Sequence, residues 1–319
     1  MTGTASIIIS TRNRADSLRE TLQSIKNLSP SSEVDIELIV VDNGSTDSTP
    51  AVIEAFEDDN IDLIALNEPI PSKSIALNKA ITYATGDVFL FTDDDVTVPA
   101  NWIDEMIAPI TVGQADAVAG GVRLAASLRP SWMTEEHASM LADTRALETA
   151  EGCRLTGANM AIARHVFEEL DGFDPHLGPG SKTTGLHEET LLSLQMRQEG
   201  FTIATAFDTV VEHRPAPDRL YYTAFKDIME KQGRSDAYLD YHWRHDSGSF
   251  VRSSLALMVW ALRLLVLRAS HGRNSGVGKQ GMPLDEMSMR RRIAYHKQLI
   301  SYQGRQAIYP TRCGSRRRD

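Results

Sequence analysis

Three consecutive aspartates, Asp93, Asp94 and Asp95, follow directly on the apolar run Phe89, Leu90, Phe91 and Thr92. Neighbouring carboxylates repel one another at neutral pH. Such a run needs either water around an exposed turn or a bound cation to compensate it. Carboxylate oxygens are hard donors and suit Mg2+ or Mn2+ better than zinc. The elements that carry the run decide between these two environments.

Those elements can be read from periodicity. Residues 5–10 are short, β-branched and apolar, the pattern of a buried strand, and residues 34–42 and 61–66 repeat it. Residues 87–92 form a fourth strand that delivers the aspartates. Between these strands, residues 15–28 place Leu18, Leu22 and Ile25 at spacings of four and three, an amphipathic helix. Residues 45–58 open with capping residues and Pro50 before turning helical, and residues 72–86 form a helix that closes at Gly86. Strands alternating with helices predict an α/β fold, a mixed but mainly parallel, Rossmann-like sheet flanked by helices on both faces. Further along, residues 115–124 and 155–163 read as strands and 164–170 as a short helix. The Gly- and Pro-rich residues 172–185 read as a mobile loop, 186–200 as a helix carrying Leu191, Leu194 and Met196, and 201–213 as two short strands.

In an open parallel sheet, ligands bind beyond the carboxyl ends of the strands. Strands one, two and four end in the polar segments 10–14 (STRNR), 42–47 (DNGSTD) and 93–95. Each alone is an ordinary turn or cap. Together they surround one crevice. A Mg2+ or Mn2+ ion there would take one or two carboxylates and fill its remaining positions with diphosphate oxygens and water. No GxxxxGK[ST] loop is present, so a P-loop is not the means of phosphate binding.

The series SIIISTRNR, ELIVVDNGSTD, GDVFLFTDDD, LTGANMAIAR, DGFDPHLG, LHEETLLSLQMRQEG and VVEHRP, in that order from about residue 5 to about residue 237, resembles the inverting family 2 glycosyltransferases of the GT-A fold. The resemblance implies a UDP-, GDP- or dTDP-linked sugar donor and an acceptor hydroxyl of unknown identity. It maps donor binding onto Thr11, Arg12, Arg14, Asp42 and Ser45, with Asp42 accepting from the base. Asp93 and Asp94 would approach the donor. Asp95 would be the main ligand of the Mg2+ or Mn2+ ion, aided by Asp93 and by His213. The pair Glu188 and Glu189 matches an acidic pair at a helix start, where the second carboxylate is the general base, so Glu189 receives that role with Glu188 as its neighbour or substitute. A sugar hydroxyl is a weak nucleophile, and a placed carboxylate can take its proton as the new bond forms.

Two positions depart from the family pattern. Glu189 stands where aspartate is commoner, and Leu77 precedes Asn78 where arginine is common, which leaves Lys73 to supply positive charge near the diphosphate. The loop at 178–185 is expected to close over the sugar and exclude water, and Trp132 is a candidate border of the acceptor site. Two other readings use some of the same residues. A nucleotidyltransferase also combines aspartates, a metal and a parallel sheet, although the glycines of its phosphate loop are missing after strand one. A non-catalytic sugar-nucleotide-binding scaffold would have no use for Glu189.

The chain of 319 residues has room for a catalytic domain over 1–237 and a helical, basic C-terminal extension over 238–319. From residue 250 onward, fourteen Lys or Arg face three Asp or Glu, while the whole chain carries −10. An acidic body speaks against a nucleic-acid partner. The opening residues read as a strand rather than a signal peptide, and Cys153 and Cys313 read as free thiols of a cytoplasmic protein. Residues 253–270 are the most apolar stretch, but only thirteen positions separate Leu255 from Leu267 inclusive, and Arg263 interrupts them. That stretch is expected not to span a bilayer. It would lie on an anionic membrane surface at the inner face of the cell membrane, helped by Arg268, Arg273 and the arginines at 290–292, or pack on the core or in a homodimer. Residues 271–283 read as a linker and the final residues as a disordered tail.

Overall fold

The computed structural model describes residues 3–30, 34–145, 154–270 and 281–310. Both cysteines, Arg273, most of the expected linker and the terminal tail lie outside the described residues. The chain groups into two units, one of residues 1–181 with 188–215 and one of residues 182–187 with 216–319.

The first unit holds an eight-stranded sheet. Its strands are β1 (Gly3–Thr11), β2 (Val34–Asp42), β3 (Ile61–Asn67), β4 (Val88–Thr92), β5 (Val96–Thr97), β6 (Ala117–Leu124), β7 (Asn159–Ala163) and β8 (Ile203–His213). Their spatial order is β3-β2-β1-β4-β7-β6-β8-β5. The β3, β2, β1 and β4 ladders are parallel, β7 runs antiparallel to both neighbours, and β8 runs parallel to β6. The helices are α1 (Ala15–Lys26), α2 (Thr49–Glu54), α3 (Lys73–Tyr83), α4 (Trp102–Thr111), α5 (Glu135–Ser139), α6 (Arg164–Glu169) and α7 (Glu188–Glu199). Leu18, Leu22 and Ile25 of α1, with Trp102 and Met106 of α4, cover one face of the sheet. Ala76, Leu77 and Ala80 of α3, with Leu192 and Met196 of α7, cover the other. The central strands are therefore buried on both sides, which is why Ile7, Ile8 and Ile9 run apolar without alternation. Leu77 belongs to this core, which accounts for an apolar residue there.

The segment 201–213 contributes one strand, Ile203–His213, not the two expected. The register of β8 against β6 shifts between Gly120 and Gly121. A Cβ on Gly121 would stand 2.3 Å from the carbonyl oxygen of Phe207, so glycine lets the bulged strand approach without breaking. The short strand β5 was also not legible.

The second unit is helical. α8 (Tyr222–Tyr238) continues through a π turn at Leu239–Trp243, so the expected boundary near 237 falls inside continuous helix. α9 (Phe250–Ser270) and α10 (Leu284–Tyr302) follow. Phe225, Met229 and Tyr238 of α8 are buried together with Leu299 and Tyr302 of α10. The three arginines at 290–292 are not a free basic cluster. Arg290 is buried and bonds Glu286 at 2.8 Å, Arg291 pairs with Asp236 at 2.6 Å, and the Arg292 guanidinium lies 4.7 Å from the Trp260 ring centre. α9 is also longer than the apolar count suggested, at 21 residues, so length does not prevent it from crossing a bilayer.

Candidate functional site

The sheet order builds the site. β1 lies between β2 and β4; the chain steps outward from β1 to β2 and β3, then crosses back to β4 on the other side of β1, and this reversal of strand order opens a crevice at the carboxyl end of β1. Thr11 pairs with Asp42 in the β1–β2 register, and Ile9 pairs with Thr92, so Asp93 enters the same crevice. Because β7 is antiparallel to β4, its first residue, Asn159, stands beside Thr92. The TGA segment before β7 therefore arrives at that edge as well. Leu124 and Val96 both pair with His213, bringing the end of β8 next to Asp95.

Each aspartate of the run has its own partner. Asp93 forms an ion pair with Lys73. Asp94 accepts from the Thr11 hydroxyl at 2.7 Å. Asp95 accepts from Arg14 at 2.6 Å on Oδ2, while its Oδ1 faces His213 Nε2 at 3.2 Å. Burial pushes Asp95 up, but the hydrogen bond and charge of His213, then Arg14, outweigh it and hold the carboxyl below the usual range. Burial, then the Asp95 charge, push Asp94 above the usual carboxylate range against Arg14. Asp94 and Asp95 are buried, so the run is not an exposed turn, and within the chain its charges are met by Lys73, Arg14 and His213.

His213 bears on what this pair can hold. Its Nδ1 lies 2.8 Å from the carbonyl oxygen of Leu141, which can only accept, so Nδ1 carries the hydrogen and Nε2 is turned to Asp95. Burial lowers the His213 pKa, but the hydrogen bond to Asp95 and its charge raise it overall. A metal-ligating histidine uses the same arrangement, with the far nitrogen donating to a carbonyl. Adjacent corners of an octahedron with 2.0–2.1 Å bonds are about 3 Å apart, close to the 3.2 Å between the two donors. The pair therefore fits two ligands of a divalent cation. Among the described residues no group of three His, Cys, Asp or Glu forms a complete cage, so the remaining ligands would be phosphate and water oxygens.

Lys73 opens α3, and the chain fixes it firmly. Buried Asn43 donates to the carbonyls of Glu68 and Ile70 and accepts from Ser72 N–H at 2.9 Å. Ser72 in turn caps α3. Burial works against the charge of Lys73, but Asp93, Glu188 and Glu189 outweigh it and raise its pKa. Glu188 and Glu189 open α7 and differ sharply. Glu188 is buried, and burial followed by the Glu189 charge pushes its carboxyl well above the usual range. Glu189 is half-buried and accepts from Gly157 N–H at 3.3 Å on Oε1. A Cβ on Gly157 would stand 3.2 Å from Lys73 Nζ and 3.4 Å from Glu189 Oε1, so the TGA segment passes closely by both.

The other sequence-expected residues sit around this centre. Asp42 is buried and accepts from Ser45 N–H at 2.9 Å. The Ser45 hydroxyl accepts from Asn13 N–H at 2.9 Å, and Asn13 Oδ1 accepts from Thr46 N–H at 2.7 Å, stitching the first two strand-end loops together. Arg12 is exposed, whereas Arg14 is turned inward to the aspartates. Trp132 packs edge-on to His137 at 5.3 Å. Residues 177–180 are held against α3, with Lys73 N–H bonded to Pro179 O at 2.9 Å and Ser74 Oγ to Leu177 O at 2.9 Å, so this part of the expected mobile loop is anchored. Sequence reasoning passed over Asn13, Asn43 and Gly157. A signal for Asn43 was present, an amide directly behind a buried strand and ahead of a glycine.

Comparison with known proteins agrees with this architecture. The profile described as Glycosyl transferase family 2 matches residues 6–171. Glycosyltransferase AglE of Haloferax volcanii is 24% identical over 267 residues, spanning 81% of this chain and 79% of that protein. The glucosyl-dolichyl phosphate glucuronosyltransferase of the same organism is 28% identical over 248 residues, spanning 71% and 78%. Among solved structures, the mannosyltransferase PcManGT from Pyrobaculum calidifontis, in complex with GDP-Man and Mn2+, superposes with a TM-score of 0.58 at 19% identity, covering 94% of this chain and 86% of that one. The sheet, its flanking helices and this likeness make the fold GT-A, with a helical C-terminal extension. With its strand-end crevice built in that fold and more than half its length matched by the family profile, the chain belongs to glycosyl transferase family 2 and is a glycosyltransferase.

Proposed function

We propose that the protein is a divalent-cation-dependent, inverting enzyme that moves a sugar from a nucleoside diphosphate sugar to a hydroxyl of a glycan or glycolipid. The observation that carries this reading is the split between Glu188 and Glu189. One carboxyl is buried and pushed toward its neutral form, while the other is half-buried, held by a backbone N–H and close to a lysine. A proton acceptor needs the second environment, so Glu189 takes the acceptor hydroxyl's proton onto its carboxylate as the bond to the anomeric carbon forms. Glu188, buried and pushed toward its neutral form by that burial and by the Glu189 charge, would spare the site a second negative charge.

Asp42 binds the base, and Thr11, Ser45 and the backbone of the two stitched loops line the nucleotide side. Asp95 and His213 would hold Mg2+ or Mn2+, which would supply positive charge for the departing diphosphate, while Asp93, paired with Lys73, would stand on the donor side. Arg14 and Lys73 keep the three aspartates oriented and their charge balanced. The donor class proposed is that of the Pyrobaculum neighbour, whose structure holds GDP-Man and Mn2+. The acceptor class follows the name of the second Haloferax relative, a glucosyl-dolichyl phosphate glucuronosyltransferase.

A thermal-shift panel of UDP-, GDP- and dTDP-sugars, each with and without Mn2+, tests the reading. At least one donor should raise the melting temperature in a Mn2+-dependent manner. No shift with any donor would contradict it.

A further inference from the structure

We propose that α9 is an interfacial anchor that binds the surface of an anionic lipid bilayer. The inference concerns the helical unit alone and does not rest on the transferase reading. α9 is mostly apolar, yet of its residues only Ser253 is buried within the chain. Its inner side, including Leu257, Trp260 and Leu264, is half-buried. At 100° per residue, Val251, Leu255, Met258, Leu262, Leu265 and Val266 fall on one continuous arc. All six are exposed, Leu262 and Leu265 by 63% and 66%. A contiguous apolar face of this kind marks a surface that something covers.

The charges say what covers it. Arg252 and Arg263, both exposed, border the arc on one side; Arg268 borders the other but is already ion-paired to Glu286 at 3.2 Å, and no acidic residue occurs on α9 itself. Apolar residues between basic borders form the pattern that inserts at a bilayer interface, with the cations among acidic headgroups. A second copy of the chain fits less well, since two such faces in contact would bring the same arginines together without carboxylates to meet them. A spanning orientation fits less well too. Arg263 lies within the helix, and a charge there costs about 3 kcal/mol in hydrocarbon. Its guanidinium is 4.8 Å from the ring centre of Trp260, a residue type that favours the interface.

Co-sedimentation of the full chain with vesicles tests the proposal, with folding of each variant checked by circular dichroism and melting. The chain should pellet with mixed phosphatidylglycerol and phosphatidylcholine vesicles, far less with phosphatidylcholine alone, and should be released by high salt. The double variant R252E/R263E should lower partitioning by about tenfold or more, and L262E, on the exposed arc, should abolish it. Three results would overturn the proposal: no pelleting with anionic vesicles, pelleting unchanged in folded L262E, or a chain extracted only by detergent and not by salt or alkaline carbonate. A dimer in sedimentation equilibrium that L262E dissociates, without vesicle binding, would assign the face to self-association instead.

Discussion

The carboxylate of Asp95 and the Nε2 of His213 face each other at 3.2 Å where β5 pairs with β8, with Arg14 holding the far carboxylate oxygen. Each donor is prepared from behind, the histidine by Leu141 O and the aspartate by Arg14. Replacing Asp95 by alanine should therefore weaken Mn2+ binding, measured calorimetrically with a nucleoside diphosphate present, by about 100-fold, and His213→Ala by about 10-fold. Equal affinity in wild type and Asp95→Ala would remove the pair from the metal site.

Glu188 and Glu189 are adjacent but should respond differently to the same change. Glu189→Gln removes the proton acceptor and should lower kcat by about 10²- to 10⁴-fold with little change in the donor KM. Glu188→Gln replaces a carboxyl already pushed toward its neutral form by a neutral amide of the same shape. Its kcat should stay within about tenfold of wild type. Steady-state kinetics of the two variants decides the matter, and a reversed order would make Glu188 the base.

Gly157 is a sharper probe because it bonds to no ligand in this account. Alanine there would add a methyl 3.2 Å from Lys73 Nζ, tighter than most contacts, and 3.4 Å from Glu189 Oε1, an ordinary contact. The flexible ends of both side chains can yield, so the variant should fold and melt within about 1 kcal/mol of wild type. Displacing Lys73, whose charge faces Glu188 and Glu189, by even a fraction of an ångström should still lower kcat by about tenfold or more. Thermal melts and kinetics on one preparation separate the two effects.

Glu37 concerns stability rather than chemistry. At the opposite end of the sheet from the aspartates, it accepts from Ser6 Oγ, from Thr85 N–H at 2.5 Å and Oγ1 at 2.8 Å, and from Gly86 N–H at 3.2 Å. Burial raises its pKa, but these hydrogen bonds outweigh it and leave the carboxyl below its ordinary value. A depressed carboxylate contributes stability above its unfolded pKa, about 4.3, and loses it as pH falls through the folded value. Glu37→Gln should cost about 2 kcal/mol at pH 7 in denaturant titrations, and the difference from wild type should shrink as pH falls below about 4. A difference constant with pH would show that the charge plays no part.

Much of this site was legible because strand ends announce themselves. Buried strands such as Ile7 to Ile9 have no polar alternative reading, so the first polar residues after them must lie at the rim. What was not legible depends on pairing between distant segments. The partnership of Lys73 with Asp93 needs the start of α3 and the end of β4 in one place, and no local pattern records that. The bulge opposite Gly121 and the strand β5 are set by neighbours rather than by propensity. The arginines at 290–292 looked like a basic patch, but helix periodicity sends Arg290 inward to Glu286 and Arg291 to Asp236. The count of apolar residues also understated α9, which continues through its polar ends to Phe250 and Ser270.

The most direct test is a crystal of the full chain soaked with Mn2+ and the nucleoside diphosphate sugar that gives the largest thermal shift. The account predicts manganese about 2.1 Å from Asp95 and His213, with the diphosphate on its open side and the Glu189 carboxylate facing the anomeric carbon from the side opposite the leaving group. Manganese bound elsewhere, or Glu189 directed away from the sugar, would contradict it.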